Sequence, residues 1–598
     1  MEETQVIIVG GGPSGLALGL ALAQWRVKAV ILERGSGIES DPRGVWLTGD
    51  AVRICYALGI GPDMSSIGHP SIHANFHQTS FKNPPFFQIP FGTSNNLEHA
   101  LPEGFQMSQP QLEHVLRDKI NASSFCSLRT ACNVTERLAE VPPVIAYIDP
   151  NGQRKLITGQ FLVGADGKTG IVRKHFLEPT AGIRQESGNY PYEGVWIASN
   201  LKITVPTPET HPDFPLWDLG YEPEQVYDLF WPVGWHFCAP PGKATATGRF
   251  GPHGDRTWRH EFIVKDASSG PIYAEELFWD HLMPNITLNK DTAQGRAFAQ
   301  PVEFPRDCIK ILRCRPFKFV HKCVNWWFHR RTILIGDAAH VFPPFAGQGV
   351  ASGLRDGHQL AWRLALLLDQ QERIDDRLEI LEAWARERRD SVDAAAFMSK
   401  LSGFGCNYEP AWWVRIDIMR AMEYDGFSKV PDGFHLKQYR GGIRLAQIYV
   451  QNQDGTGIRL SDSLYSQFKT IFTLLVVGGS DEIETVKSFK EAKAAIQELG
   501  ISPTILQASS VVIYTSKPYG NNLSLSIGSQ VVTPAPVTKI EANLPVKYEA
   551  SSFANRLGRS TRFAILRPDF FIFACAKDIL ELRFCLGELQ RMVQGGCK

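Results

Sequence analysis

Gly336-Asp337-Ala338-Ala339-His340 runs on through Pro343-Pro344-Phe345-Ala346-Gly347-Gln348-Gly349. Ahead of it stands a short apolar run, Thr332-Ile333-Leu334-Ile335, with the length and branching of a buried strand. Behind it, apolar residues recur from Leu354 to Leu368 at helical spacing. An aspartate therefore sits where a parallel strand ends, and Gly-rich backbone opens the next helix. In that setting a carboxylate accepts from a sugar hydroxyl, and helix N–H groups face negative charge. The stretch predicts an α/β domain that docks an anionic, sugar-bearing ligand.

Residues 5–33 predict a βαβ unit of the same kind. Val6 to Val9 and Ala29 to Leu32 read as strands, and Leu16 to Trp25 has helical apolar spacing. Between them, Gly10, Gly12 and Gly15 permit a tight turn, close approach to a pyrophosphate, and close packing of helix on strand. Glu33 follows the glycines by about 20 residues, where a carboxylate accepts from a ribose hydroxyl. Such a glycine pattern alone is weak; between two strands and closed by an acid it is strong. A third segment, Phe161-Leu162-Val163-Gly164-Ala165-Asp166-Gly167, is an apolar strand ending in Asp-Gly. An isolated Asp-Gly is a commonplace turn. Its position between the other two segments makes chance a poor explanation.

The wording GDAAH…PP…GQG resembles the flavin-contacting motif of the class A flavin-dependent aromatic monooxygenases, the p-hydroxybenzoate and phenol hydroxylase family. The resemblance covers nearly the whole chain and is weakest across residues 180–320. It implies non-covalent FAD, with Gly10, Gly12 and Gly15 at the pyrophosphate and Glu33 at the adenosine ribose. It implies that Gly336 and Asp337 meet the ribityl chain, and that Gly347, Gly349 and Val350 present N–H groups near the isoalloxazine. Asp166 maps to the family's Asp-Gly motif, Arg43 of Pro42-Arg43-Gly44 to its flavin-contacting arginine, and Gln109 to a flavin-contacting glutamine. Gln109 also reads as a simple helix start. Pro343 maps to the wall beside the reacting edge of the flavin, the one catalytic position assigned; the general base stays unnamed. Asp50 departs from the Arg-Thr pair of many relatives and reads either as a helix cap or as a catalytic group.

The resemblance also implies the chemistry. NADPH or NADH reduces FAD, O2 adds at flavin C4a, and the hydroperoxide passes one oxygen atom to an electron-rich ring. One glycine fingerprint, not two, agrees with a family that has no separate nicotinamide domain. Baeyer–Villiger oxidation or epoxidation by the same intermediate is the nearest rival. A halogenase is a further one, because Gly234-Trp235-His236-Phe237-Cys238-Ala239-Pro240 weakly resembles that family's Trp-x-Trp-x-Ile-Pro. A flavin-binding scaffold without catalysis is the non-enzyme alternative.

A chain of 598 residues exceeds one ordinary core. The expected organisation is α/β. A Rossmann-like FAD-binding domain begins with residues 1–185, and a mainly antiparallel substrate sheet is inserted at 186–320. The return segment and helices of the FAD-binding domain follow at 321–440, and a unit resembling thioredoxin at 441–598. That last unit lacks Cys-x-x-Cys, so packing or homodimer formation suits it better than redox work. In the inserted region, Tyr227 to Trp231 and Ala244 to Phe250 read as alternating strands. Tyr227, Trp231, Trp235 and Phe237 are pocket candidates whose plainer reading is core. No arginine there has a sequence context marking a carboxylate clamp, so the expected small-molecule substrate is a phenol of polycyclic or polyketide-like size. Lys+Arg and Asp+Glu both number 62 and are spread along the chain, which speaks against a nucleic-acid partner. The eleven cysteines show neither metal-ligand spacing nor a disulfide framework. No metal is therefore expected, and a reducing, cytoplasmic location is. No apolar run reaches the about 20 residues of a membrane helix, so no membrane partner is expected.

Overall fold

Val6–Val9 forms an inner strand of a six-stranded sheet, and none of its residues is more than 5% exposed. It runs parallel to Ala29–Leu32 on one side and Phe161–Gly164 on the other, with Val6 opposite both Ala29 and Phe161. Cys126–Arg129 and Thr332–Leu334 extend the parallel region, and Phe328–His329 closes one edge antiparallel. Parallel strands buried on both faces require continuous apolar runs, which is why these segments stand out in the sequence. The computed structural model describes residues 1–92, 98–239, 243–265, 270–290, 297–343, 347–407, 427–466, 470–519 and 531–595.

Two helices, Pro13–Gln24 and Gln348–Leu368, pack against each other at the C-terminal ends of these strands. Their contact is tight: a Cβ on Gly353 would lie 2.0 Å from Ser14 Oγ. Both turns that end in these helices are thereby held side by side. A second long helix, Glu379–Asn407, follows. Residues 408–426, beyond its end, lie outside the described residues.

The second sheet has seven strands, in the order Ile309–Val320, Glu193–Ile203, Thr257–Ile263, Thr245–Phe250, Trp235–Cys238, His73–His77 and Phe87–Pro90. All neighbours are antiparallel except Trp235–Cys238 with His73–His77. Two of its strands thus come from ahead of residue 186. Tyr227 to Phe230 is not a strand, contrary to the sequence reading. It lies in the helix Pro223–Phe230, whose start is set by Pro223 and by a capping box between Glu222 and Gln225. Val226, Tyr227 and Phe230 fall on one helical face and bury there, a spacing that mimics alternation over so short a run.

A third sheet of seven strands forms the C-terminal unit, with Thr473–Gly478 parallel to Val511–Thr515 and antiparallel to Phe563–Leu566. Asp481 caps the helix Glu482–Glu498 by accepting from the N–H groups of Ile483 and Glu484. Burial pushes the thiols of Cys575 and Cys585 up to about 11 and about 12, so thiolate is scarce at neutral pH. Cys597 lies outside the described residues.

The unit is anchored to the first domain by buried charge. Arg567 donates to Asp569 and, through both terminal nitrogens, to Glu387 at 2.8 Å; Arg363 reaches the same Glu387 at 2.6 Å. All four side chains are fully buried. Burial alone would raise both carboxyls. Arg363 and Arg567 outweigh it at Glu387, and Arg567 does so at Asp569, so both are held below their usual range. We expect Arg567→Ala to cost about 3–5 kcal/mol in denaturant unfolding, because Glu387 and Asp569 are left buried with only Arg363 beside them. A loss under about 1 kcal/mol would contradict the anchoring role. Carboxyls depressed in the folded state stabilise above their unfolded pKa of about 4, so the wild-type contribution should fade as pH falls below that value.

Candidate active site

A cavity of about 1700 Å³ is lined by residues of both the parallel sheet and the first seven-stranded sheet. Sites for a single small ligand measure about 300–1,000 Å³, so this one has room for a dinucleotide and a second molecule. Its first end is built from the turn Gly10–Ser14 and the loop after Ala29–Leu32. Gly10 has φ +111°, and a Cβ there would meet the Ala165 carbonyl oxygen at 2.3 Å. At Gly12 a Cβ would meet nothing within 4 Å, so it would project into open cavity. Gly15 packs under the turn, its missing Cβ only 2.1 Å from the Gly10 oxygen. Glu33 also lines the cavity and accepts from the N–H groups of Gly11 (2.6 Å) and Gly35 (2.7 Å).

Asp337 reaches the cavity from the opposite turn. Its carboxylate is exposed to the cavity and has no hydrogen bond among the described residues. Protein nevertheless surrounds it, and that low-dielectric surrounding raises its pKa despite His340, Arg43 and Lys168 nearby. Gly336, with φ +59°, begins the turn, and its N–H donates to Asp356 Oδ2 at 2.8 Å. Gly347, with φ +57°, is the N-cap of the helix Gln348–Leu368, so the N–H groups of Gly349 and Val350 have no intrahelical partner. These residues line the cavity, as does Pro343; Pro344, Phe345 and Ala346 lie outside the described residues.

The remaining sequence candidates hold loops in place. Gln109 Oε1 accepts from the Gly44 N–H at 2.8 Å, beside Arg43, and its amide donates to Glu113. Asp166 Oδ2 accepts from the Val172 N–H at 2.9 Å, while Oδ1 is buried with no hydrogen-bond partner among the described residues. Burial raises the Asp166 pKa. Asp50 lines the cavity but caps nothing. It is gripped by Arg355 at 2.6 and 2.8 Å, with Arg444 at 3.6 Å. These cations overcome the cost of burial and hold it ionised.

The far wall is one face of the seven-stranded sheet. Strand register lays two rows across it: Arg315, Ala198, Glu261, Ala246, Phe237 and Phe76, then Arg313, Asn200, Arg259, Gly248, Trp235 and Ala74. One side is aromatic, the other is charged, and Ala246 and Gly248 lie between them. Trp235 and Phe237 therefore belong to the cavity. Tyr227 and Trp231 do not; they are buried in the core behind the sheet. Asp41 accepts from Arg313 at 2.6 Å and from Arg315 at 3.0 Å. Arg259 donates to Asn200 at 2.6 Å, to Glu261, and to the Pro42 carbonyl, which ties the Arg43 loop to the sheet. The arginines of this wall were not legible as ligand groups. Their one signal is period-two alternation: Arg259 and Glu261 share a face, and Trp258, His260 and Phe262 share the other.

A sequence profile described as FAD binding domain matches residues 3–215 and 300–398. A probable NADH-specific resorcinol 4-hydroxylase from Rhodococcus jostii (strain RHA1) is 25% identical over 370 residues, 61% of this chain and 60% of that one. A 3-(3-hydroxy-phenyl)propionate/3-hydroxycinnamic acid hydroxylase from Escherichia coli (strain K12 / DH10B) is 25% identical over 410 residues, 67% of this chain and 62% of that one. The matches thus span about three-fifths of the curated relatives' length. The solved complex of aklavinone-11 hydroxylase with FAD and aklavinone has the same fold, with a TM-score of 0.67, 15% identity and 99% of each chain covered. The profile covers more than half of the chain, with both glycine turns inside it, and the chain belongs to the FAD-binding family of class A aromatic monooxygenases.

Proposed function

We propose that this protein hydroxylates an electron-rich, phenolic or polyketide-like aromatic compound, using FAD, NADPH or NADH, and O2. The observation that carries the reading is the continuity of the cavity. One end has the open glycine turns and hydroxyl-accepting carboxylates suited to a dinucleotide; the other is an aromatic sheet face. Bound FAD supplies the electron transfer and oxygen activation that no side chain here supplies. The chain's own groups bind and orient. Gly12 leaves space for the pyrophosphate, Gly10 and Gly15 let the turn close on its neighbours, and Glu33 takes a hydroxyl of the adenosine ribose. Asp337 accepts from the ribityl chain, and the free N–H groups of Gly349 and Val350 face the ring system. Trp235, Phe237 and Phe76 give a flat apolar ligand a stacking surface and keep water from it.

Size favours the larger phenols over simple benzoates. The relatives named for resorcinol and hydroxyphenylpropionate and the aklavinone complex all concern hydroxylated aromatics, which agrees. The test is NAD(P)H oxidation by the purified, FAD-loaded protein across a series of polycyclic phenols and benzoates under 18O2. We expect selective stimulation by polycyclic phenols and one labelled oxygen on the ring. Coupled hydroxylation confined to a small benzoate would show the substrate class wrong; a labelled ester or epoxide would show the reaction type wrong.

Asp337→Ala should weaken FAD binding roughly tenfold or more, since a charged hydroxyl acceptor is lost. Fluorescence titration of the apoprotein with FAD measures it. Affinity equal to wild type would remove Asp337 from the cofactor site.

A further inference from the structure

We infer that Glu261 selects the substrate, by accepting a hydrogen bond from a ring hydroxyl. The inference deepens the reading above and rests on it. Glu261 stands in the middle of the sheet wall, lines the cavity, and is 4% exposed. One oxygen, Oε1, accepts from Arg259 Nη1. The other, Oε2, has no hydrogen-bond partner among the described residues. Oε2 is not sealed in protein but opens onto the cavity, so its donor comes from there.

The neighbouring cations do not compete for the role. Arg259 is engaged by Asn200, Glu261 and the Pro42 carbonyl, and Arg313 and Arg315 by Asp41. Arg259 fixes Glu261 and the Arg43 loop, while Arg313 and Arg315 share the one carboxylate of Asp41. The cross-strand neighbours of Glu261 are Ala198 and Ala246, and beyond Ala246 stand Phe237 and Phe76. No side chain longer than a methyl group flanks the carboxylate across the strands on either side. A flat ring can lie over Ala246, with the aromatic residues beside it and its hydroxyl against Oε2. A charge-assisted O–H···O⁻ bond is short and strong. It also raises electron density on the ring, which favours attack on an electrophilic oxygen. A substrate carboxylate at the same place meets a like charge and is rejected. The selected class is therefore a neutral hydroxylated arene, not an aromatic acid.

The probes are 2-naphthol, 2-methoxynaphthalene and 2-naphthoate, titrated into the FAD-loaded protein and read by flavin absorbance. Wild type should bind 2-naphthol roughly tenfold or more tightly than either of the other two. In Glu261→Gln the amide oxygen turns to Arg259 and the NH2 group faces the cavity, so an acceptor becomes a donor. That variant should lose the preference for 2-naphthol while keeping its affinity for the methyl ether. Flavin content equal to wild type shows that it is folded. Should it lose flavin, the wild-type comparison still decides: equal binding of the naphthol and its ether overturns the inference. An undiminished naphthol preference in Glu261→Gln overturns it too, and leaves the proposed function standing. If none of the three probes perturbs the flavin, the proposed function fails with it.

Discussion

One buried carboxylate holds the Gly336–Asp337 turn on which one end of the cavity depends. Asp356 accepts from the Gly336 N–H at 2.8 Å, from His340 Nε2 at 2.7 Å and from Arg388 Nε at 2.6 Å. The Asp356, His340 and Arg388 side chains are fully buried. Burial raises the carboxyl, but His340 and Arg388 outweigh it and hold Asp356 down to about 2. Asp356 thus joins the start of the Gly-Asp turn, its end, and two helices. Removing such a partner leaves the others buried and unpaired, at about 3–5 kcal/mol. The exposed Asp337 is positioned by this group, since Gly336 before it and His340 after it both bond to Asp356.

The second constraint is the facing of two sheets. The parallel sheet ends in glycine turns that cannot carry side chains, so that side of the cavity is backbone and carboxylate. The antiparallel sheet presents alternate residues, so that side is aromatic or charged according to register. The loop of Asp41, Pro42 and Arg43 bridges them: Asp41 is held by Arg313 and Arg315, and Pro42 by Arg259. The C-terminal unit enters from behind. Its Arg567 joins Glu387, the residue before Arg388 on the same helix, so the network anchoring this unit lies next to the one holding the Gly336–Asp337 turn.

Legibility followed locality. Gly10, Gly12, Gly15, Glu33, Gly336, Asp337 and Gly347 were readable because a turn between a strand and a helix imposes residue types at fixed short spacing. All of them line the cavity or support its turns. Tyr227 and Trp231 misled because a short helix and a strand look alike in apolar content. Trp235 and Phe237 were undecidable between core and pocket, since both readings need the same side chains. Arg259, Glu261 and Asp41 were out of reach: Asp41 meets its partners on the sheet across 159 to 274 residues of chain, through strand register that only the fold supplies. Asp50 was left between cap and catalytic group, and its actual partner, Arg355, lies 305 residues away.

The central claim is that one cavity brings a dinucleotide flavin against an aromatic-lined sheet face. A crystal structure of the FAD-loaded protein soaked with a polycyclic phenol tests it most directly. The account predicts the pyrophosphate over Gly12, the ribityl hydroxyls at Asp337, and the phenol between the flavin ring and Phe237. A flavin bound away from the Gly10 and Asp337 turns, or a phenol bound outside the sheet wall, would contradict it.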